Sequence, residues 1–395
     1  MSKNNRTLTL FKHVIPYIVL ILVVCILLTS CSSGEITGAR ETTAAQQGIG
    51  LTSAANAAGI DPADKEGMGA DSNDIVIKGL VLKYVLVDSA YEIYQTNILK
   101  EKPFSFDSYS RMGEDTKNHF IWMEDTYNSL DADNKAHLKD LFESGIHAWK
   151  LMDVTTRLDD SAGVDDIVQK LASSREIKGG SKLKAAITDF LPYFYLNYLK
   201  AYIEENDDTF NKYIEKLNKQ VQEKDADIIG FMERNSGIRF KTKYKPEFYY
   251  TLRPIGAMGF QYKDRKVSTL QRTCTDYTYL LSAPFHEFSH ELFKTFTDAN
   301  DFLEVTGPLM NNTEFRNVWN NSIKNNYNWT GWCEENLVEG FAKYLDYKYY
   351  SRDDQYSTYF YDLDFCNYLK ERKFDGQKES LKEICIEFYK SKLQQ

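Results

Sequence analysis

The chain has 395 residues, 43% of them hydrophobic, and its 57 Asp and Glu outnumber 48 Lys and Arg to give a net charge of −9 at pH 7. That acidic balance excludes nucleic acid as a partner, since a phosphate backbone needs clustered Lys and Arg. Setting aside the first 73 residues, roughly 320 remain, enough for two lobes or one large domain with a buried core.

In chain order, Lys3, Arg6 and Lys12 form a positive start, and residues 14–28 (VIPYIVLILVVCILL) are an uncharged apolar run. The run is short for a spanning helix and is followed by small polar residues, which predicts a secretory signal over residues 1–30. Its end, Leu28-Thr29-Ser30-Cys31, resembles the lipobox of bacterial lipoproteins. The resemblance implies that Cys31 is the lipidation site, carries acyl chains such as palmitate, and becomes the first mature residue. The protein would then sit outside the cytoplasm, held by a lipid anchor on the bacterial cell membrane or outer membrane. An uncleaved signal anchor with a chance cysteine is the alternative. Residues 31–73 are Ser, Gly, Ala, Thr and Gln with little to form a core, the composition of a disordered tether.

Residues 74–235 read as a mainly helical region. TFNKYIEKLNKQVQEKDADIIGFMERN keeps apolar residues near helical spacing without a proline. Asp133 is a plausible cap for the helix over NKAHLKDLFES, and Gly145 its stop. From residue 236 to 395 the pattern changes. IRFKTKY, EFYYTLR, GAMGFQY and KVSTLQRT are short and rich in aromatic and β-branched residues, which predicts a small antiparallel sheet. Helical spacing returns over 277–297, 313–325, 334–350 and 378–393. Helices, a short sheet and helices again make the fold class α+β. With Cys25 in the signal and Cys31 acylated, Cys274, Cys333, Cys366 and Cys385 remain, and in an exported chain they allow two disulfides in any of three pairings. No CxxC spacing offers a metal site.

Within the second region lies FHEFSHELF, residues 285–293. On a helix, His286 and His290 share a face one turn apart and can present two imidazoles to one ion, with Glu287 beside them as a general base. Phe285, Phe288, Leu292 and Phe296 form the opposite, core-facing stripe, and Pro284 suits a first turn. The bland alternative is a pair of half-buried histidines on an amphipathic helix. Because the chain has six histidines in all and none after His290, a third ligand would have to be a carboxylate.

ENLVEGFAKYLDY, residues 335–347, supplies one: Glu339-Gly340-Phe341-Ala342 with Tyr344 is similar to the EGFAxY segment that carries the glutamate ligand in the M1 aminopeptidases and related gluzincins. GAMGF, residues 256–260, echoes the GxMEN strand upstream of HExxH in the same aminopeptidases. The resemblance covers under a third of the chain. It implies a zincin-like catalytic region over 236–395, with Zn2+ held by His286, His290 and Glu339. Asp346 is then a partner for a zinc histidine, and Tyr344, Tyr347 or Tyr359 an oxyanion donor. Two departures matter. Gly259 stands where those aminopeptidases have the glutamate that grips an amino terminus, and Phe260 replaces the asparagine. The 48-residue gap between His290 and Glu339 is also longer, so the likeness is to the gluzincin clan and not to one family in it.

The expectation is a membrane-tethered, extracytoplasmic zinc metallohydrolase acting on a peptide or protein substrate. In it Glu287 takes a proton from an attacking water that zinc activates. The alternative is a non-catalytic surface lipoprotein, an adhesin or assembly factor, whose zinc is structural or absent. Glu287 favours the first, because a structural site has no use for a base beside its ligands.

Overall fold

The computed structural model describes residues 75–393, apart from Glu101, Asp225, residues 321–326 and Asp354. The signal segment, Cys31 and the tether lie outside the described residues. The α+β class holds: helices dominate, and the strands form one four-stranded sheet. Among the described residues no helix is long and apolar enough to cross a membrane.

The sheet is mixed, not antiparallel. Strand β1 (Val76–Lys78) comes from the stretch expected to be helical and pairs in parallel with β2 (Lys245–Tyr250). After β2 the chain crosses to the far edge as β3 (Gly259–Tyr262), turns at Lys263-Asp264 with Lys263 at φ 57°, and returns as β4 (Arg265–Leu270) between β2 and β3. Strand β4 is therefore antiparallel to β3 but parallel to β2, with Phe248 opposite Ser268. Among the described strands the expected antiparallel pairing is found for β3 with β4; insertion of β4 beside β2 makes that pair parallel, as β1 with β2 is. IRFKTKY forms no strand.

Helix α1 (Leu82–Tyr94) is buried along its whole length from Lys83 onward, so its apolar residues surround the axis. Its buried charges each find a partner, as burial of a charge requires. Lys83 Nζ lies 2.8 Å from Asp160, and Asp88 pairs with Arg253 at 2.8 Å. Glu92 meets His119 at 2.9 Å and accepts from the Tyr109 hydroxyl at 2.6 Å. Because Arg253 sits between β2 and β3, its pair with Asp88 ties the strand crossing to α1. Helix α2 (Ala132–Glu143) is capped by Asp131, whose carboxylate accepts from Asn134 N–H at 2.8 Å, and not by Asp133, which lies in the first turn. Gly145, at φ 83°, follows the end of this helix as expected. Helix α3 (Ala148–Thr155) carries Trp149, whose Nε1 donates to the Gly259 carbonyl at 2.9 Å and fixes the sheet edge.

The Lys78–Lys83–Asp160 cluster gives a pH prediction. Burial alone would raise the Asp160 carboxyl, but Lys78 and Lys83 override it and hold it down at about 2. A depressed folded value contributes stability that is full above the ordinary aspartate range near ~3.9 and is lost as pH falls toward the folded value. Asp160→Asn should therefore unfold at a lower denaturant midpoint than wild type at pH 5, with the two midpoints converging as pH is taken down toward 2.

Beyond the sheet run α4 (Ser282–Phe293), α5 (Trp329–Tyr350), α6 (Asp362–Arg372) and α7 (Leu381–Lys392). Helix α5 begins five residues before the expected 334. Helix α6 and a short helix at Asn300–Thr306 were not legible from spacing. Cys274, Cys333, Cys366 and Cys385 are all buried free thiols, so none of the three pairings is present.

Candidate metal centre

Helix α4 packs its apolar stripe inward. Phe285, Phe288 and Leu292 are fully or almost fully buried, and Phe296 just beyond the helix is buried too. Pro284 is the third residue of the helix, among the first-turn positions whose N–H has no intrahelical acceptor. Helix α5 starts at an Asn328 cap that accepts from Gly331 N–H at 2.8 Å, and it buries Leu337, Phe341 and Leu345. Gly340 is required for closeness: a Cβ there would lie 2.5 Å from the Asp362 carbonyl, so α6 could not approach. The two helices cross in opposite senses, with His286 beside Glu339 and His290 beside Glu334.

Three side chains converge between them. The Nε2 atoms of His286 and His290 are 3.3 Å apart. The Glu335 carboxylate lies 3.5 Å from each of them, Oε2 against His286 and Oε1 against His290. A tetrahedral ion with bonds of about 2.0–2.2 Å sets neighbouring ligand atoms roughly 3.3–3.5 Å apart. The group of buried His286, half-buried His290 and buried Glu335 thus has the spacing and the donor set to hold a metal ion.

The other ring nitrogens are engaged as a metal ligand requires. Glu339 Oε2 lies 2.7 Å from His286 Nδ1, and Glu334 Oε1 lies 3.2 Å from His290 Nδ1. With each Nδ1–H donating to a carboxylate, both Nε2 lone pairs face the gap. Those carboxylates are held in turn. Glu334 accepts from Thr297 at 2.6 Å and pairs with Lys294 at 2.7 Å. Glu339 pairs with Lys343, which also reaches Asp362 at 3.0 Å and Thr358 at 2.8 Å.

The expected third ligand, Glu339, is not the carboxylate that faces both histidines. Glu339 does not reach the gap between the histidines; it lies one turn further along α5, against the back of His286, and Glu335 takes the facing place. Asp346 meets neither histidine. It accepts from Ser282 at 3.0 Å and pairs with Arg352, pinning the start of α4. Tyr344 points away from the site, its hydroxyl donating to the Phe374 carbonyl at 2.6 Å. Tyr347 is exposed, and the Tyr359 ring packs edge-on against Trp332. Of the three, Tyr344 has its hydroxyl committed away from the histidines. The missed Glu335 had a signal: it stands four residues before Glu339, the i, i+4 spacing of the two histidines on α4, which puts both carboxylates on the face of α5 that meets them.

The electrostatics follow from burying so many charges together. Burial would lower His286, but its hydrogen bond to Glu339, with Glu335 and Glu287 nearby, pushes it up to about 9. Burial would raise Glu339, but Lys343 and His286 hold it well below the usual carboxylate range. Glu334 is likewise lowered against its burial by His290 and Lys294.

Glu287 is in a different position. It stands outside the three-ligand group and against the sheet edge, where burial, the largest effect, pushes its carboxyl up to about 7, while the histidines and the Gly259 N–H pull it down. A Cβ on residue 259 would lie 2.4 Å from Glu287 Oε2 and 2.7 Å from Glu287 Cβ. Residue 259 is glycine because the Glu287 side chain occupies the space. A glutamate there, as in the aminopeptidases that the motif resembles, would collide with Glu287.

Comparison with protein-family models, with curated proteins and with solved structures returned no match.

Proposed function

We propose that this protein is a lipid-anchored, extracytoplasmic zinc-dependent hydrolase of peptide bonds, working at the His286, His290 and Glu335 centre. The observation that carries the reading is the division of labour among four carboxylates, three buried and Glu339 half-buried. Glu335 faces both Nε2 atoms, Glu334 and Glu339 hold the rings from behind, and Glu287 alone is left beside the group and near neutrality. Two nitrogens and one carboxylate are a zinc ligand set that leaves a coordination position open, which is the pattern of catalytic sites. When bound, zinc supplies Lewis acidity toward the carbonyl and lowers the pKa of water.

The chain's own residues do the rest. His286 and His290 are held in one tautomer and one orientation by Glu339 and Glu334. Glu287, fixed by its contact with Gly259, accepts the proton of the attacking water and delivers it to the leaving amine, a transfer that needs a base titrating near the working pH. With the Glu287 carboxylate filling the space over Gly259, no acid at that position grips a substrate's amino terminus, so internal bonds are the expected target. The location rests on the lipobox-like end of the signal and the tether that follows.

The direct test is elemental analysis joined to hydrolysis. Purified wild type should carry about one zinc per chain, as three side-chain ligands around one ion imply, and His290→Ala should carry almost none. Zinc-loaded wild type should cleave casein and should cut amino-terminally blocked peptides about as well as free ones. Wild type without stoichiometric metal would leave the non-catalytic lipoprotein as the better reading.

A further inference from the structure

A cavity of about 350 Å³ lies at the first turn of α4, where Ser282 and Ala283 line it, and nothing in the scheme above uses it. Its position follows from two periodicities. The pairing of β3 with β4 continues back through Met258, whose carbonyl accepts from Thr269 N–H at 2.9 Å. Ala257 therefore faces the same side as Gly259, two residues on. Ala283 stands four residues before Glu287 on α4, on the same face one turn earlier. Gly259 touches Glu287; Ala257 and Ala283 both line the cavity. The cavity wall at Ala283 thus stands about one helical turn from Glu287. Both positions carry only a methyl group.

Leu270 and Leu280 add apolar wall, and Thr273 and Ser282 contribute hydroxyls; no charged side chain among the described residues lines it. The Ser282 hydroxyl is already committed to Asp346. A cavity of about 150 Å³ lined by apolar side chains is enough to hold benzene, so this one has room for a leucine, methionine or phenylalanine side chain. A charged side chain entering it would lose its water, and Arg352, the cation beside Ser282 and Tyr279 on the wall, is already paired with Asp346.

We infer that this cavity is the specificity pocket for a large, uncharged apolar side chain flanking the scissile bond. The inference rests on the proposed metal centre. It is tested by binding, with zinc-loaded protein and three blocked amino-acid hydroxamates, whose hydroxamate group is a zinc chelator: those of acetyl-glycine, acetyl-leucine and acetyl-aspartate. Isothermal calorimetry should rank leucine at least ~10-fold above glycine, the lower range for apolar pocket discrimination, with aspartate weakest. Ala283→Leu and, independently, Ala257→Leu fill the space and should each reduce the leucine-to-glycine affinity ratio by ~10-fold or more. The wild-type ranking alone decides the matter if either variant fails to fold. Zinc bound with all three hydroxamates equal, or aspartate preferred, would overturn the pocket and leave the centre standing. Failure of wild type to bind zinc at all would overturn both.

Discussion

Glu335→Gln should strip the protein of zinc, while Glu339→Gln, the same change one helical turn away, should leave most of it in place. The two residues differ in what they face. Glu335 lies 3.5 Å from both Nε2 atoms, whereas Glu339 meets the histidines at His286 Nδ1, behind the ring. Replacing a ligand carboxylate by a neutral amide removes both the charge and a donor oxygen. At position 339 the amide oxygen can still accept the Nδ1–H bond, so the ring keeps its orientation. Changes to such outer partners cost about 10–100-fold in metal affinity. The loss at Glu335 should exceed that range, measured as zinc retained against a graded chelator. Full zinc in Glu335→Gln together with loss in Glu339→Gln would return the third ligand to Glu339 and break the geometric argument.

The contrast shows what could be read from the chain. The histidine helix was legible because its two requirements, an apolar stripe and an i, i+4 pair, are both local. Phe285, Phe288, Leu292 and Phe296 are buried as their spacing demands, and the histidines share the other face. The carboxylate helix was legible only as a helix. Whether Glu334, Glu335 or Glu339 faces the histidines depends on how α5 is rotated and shifted against α4. That is set by Gly340 meeting α6 and by Leu337 and Phe341 in the core, contacts that no window of sequence contains. The sheet failed for the same kind of reason. Strand β1 pairs with β2 across a separation of about 170 residues, so its membership is a tertiary fact. Buried helix α1 also shows a limit of periodicity, because a helix surrounded by neighbours on every side has no polar stripe to reveal its orientation. Gly259 was noticed as a departure from a motif; its reason, the occupied space of Glu287, needed the fold.

Glu287→Gln should separate the catalytic reading from the non-catalytic one more sharply than any change at the ligands. The substitution keeps the size and shape of the side chain, so its contact with Gly259 is preserved, and an amide oxygen can still accept the Gly259 N–H. Glu287 is not one of the three facing ligands, so zinc content should match wild type. What the variant loses is the ability to take a proton. In wild type that ability is tuned by burial, which brings the carboxyl up to about 7 where a carboxylate in water would be a weaker base. Removal of a general base costs typically 10²–10⁴-fold, so cleavage of casein and of blocked peptides should fall by at least ~10²-fold at unchanged zinc. Equal turnover in the two proteins would mean that the proton goes elsewhere and that Glu287 serves packing against the sheet edge. If neither protein turns over any substrate while both hold zinc, the buried carboxylates are organising a structural ion, and the chain is better read as a surface lipoprotein stabilised by metal.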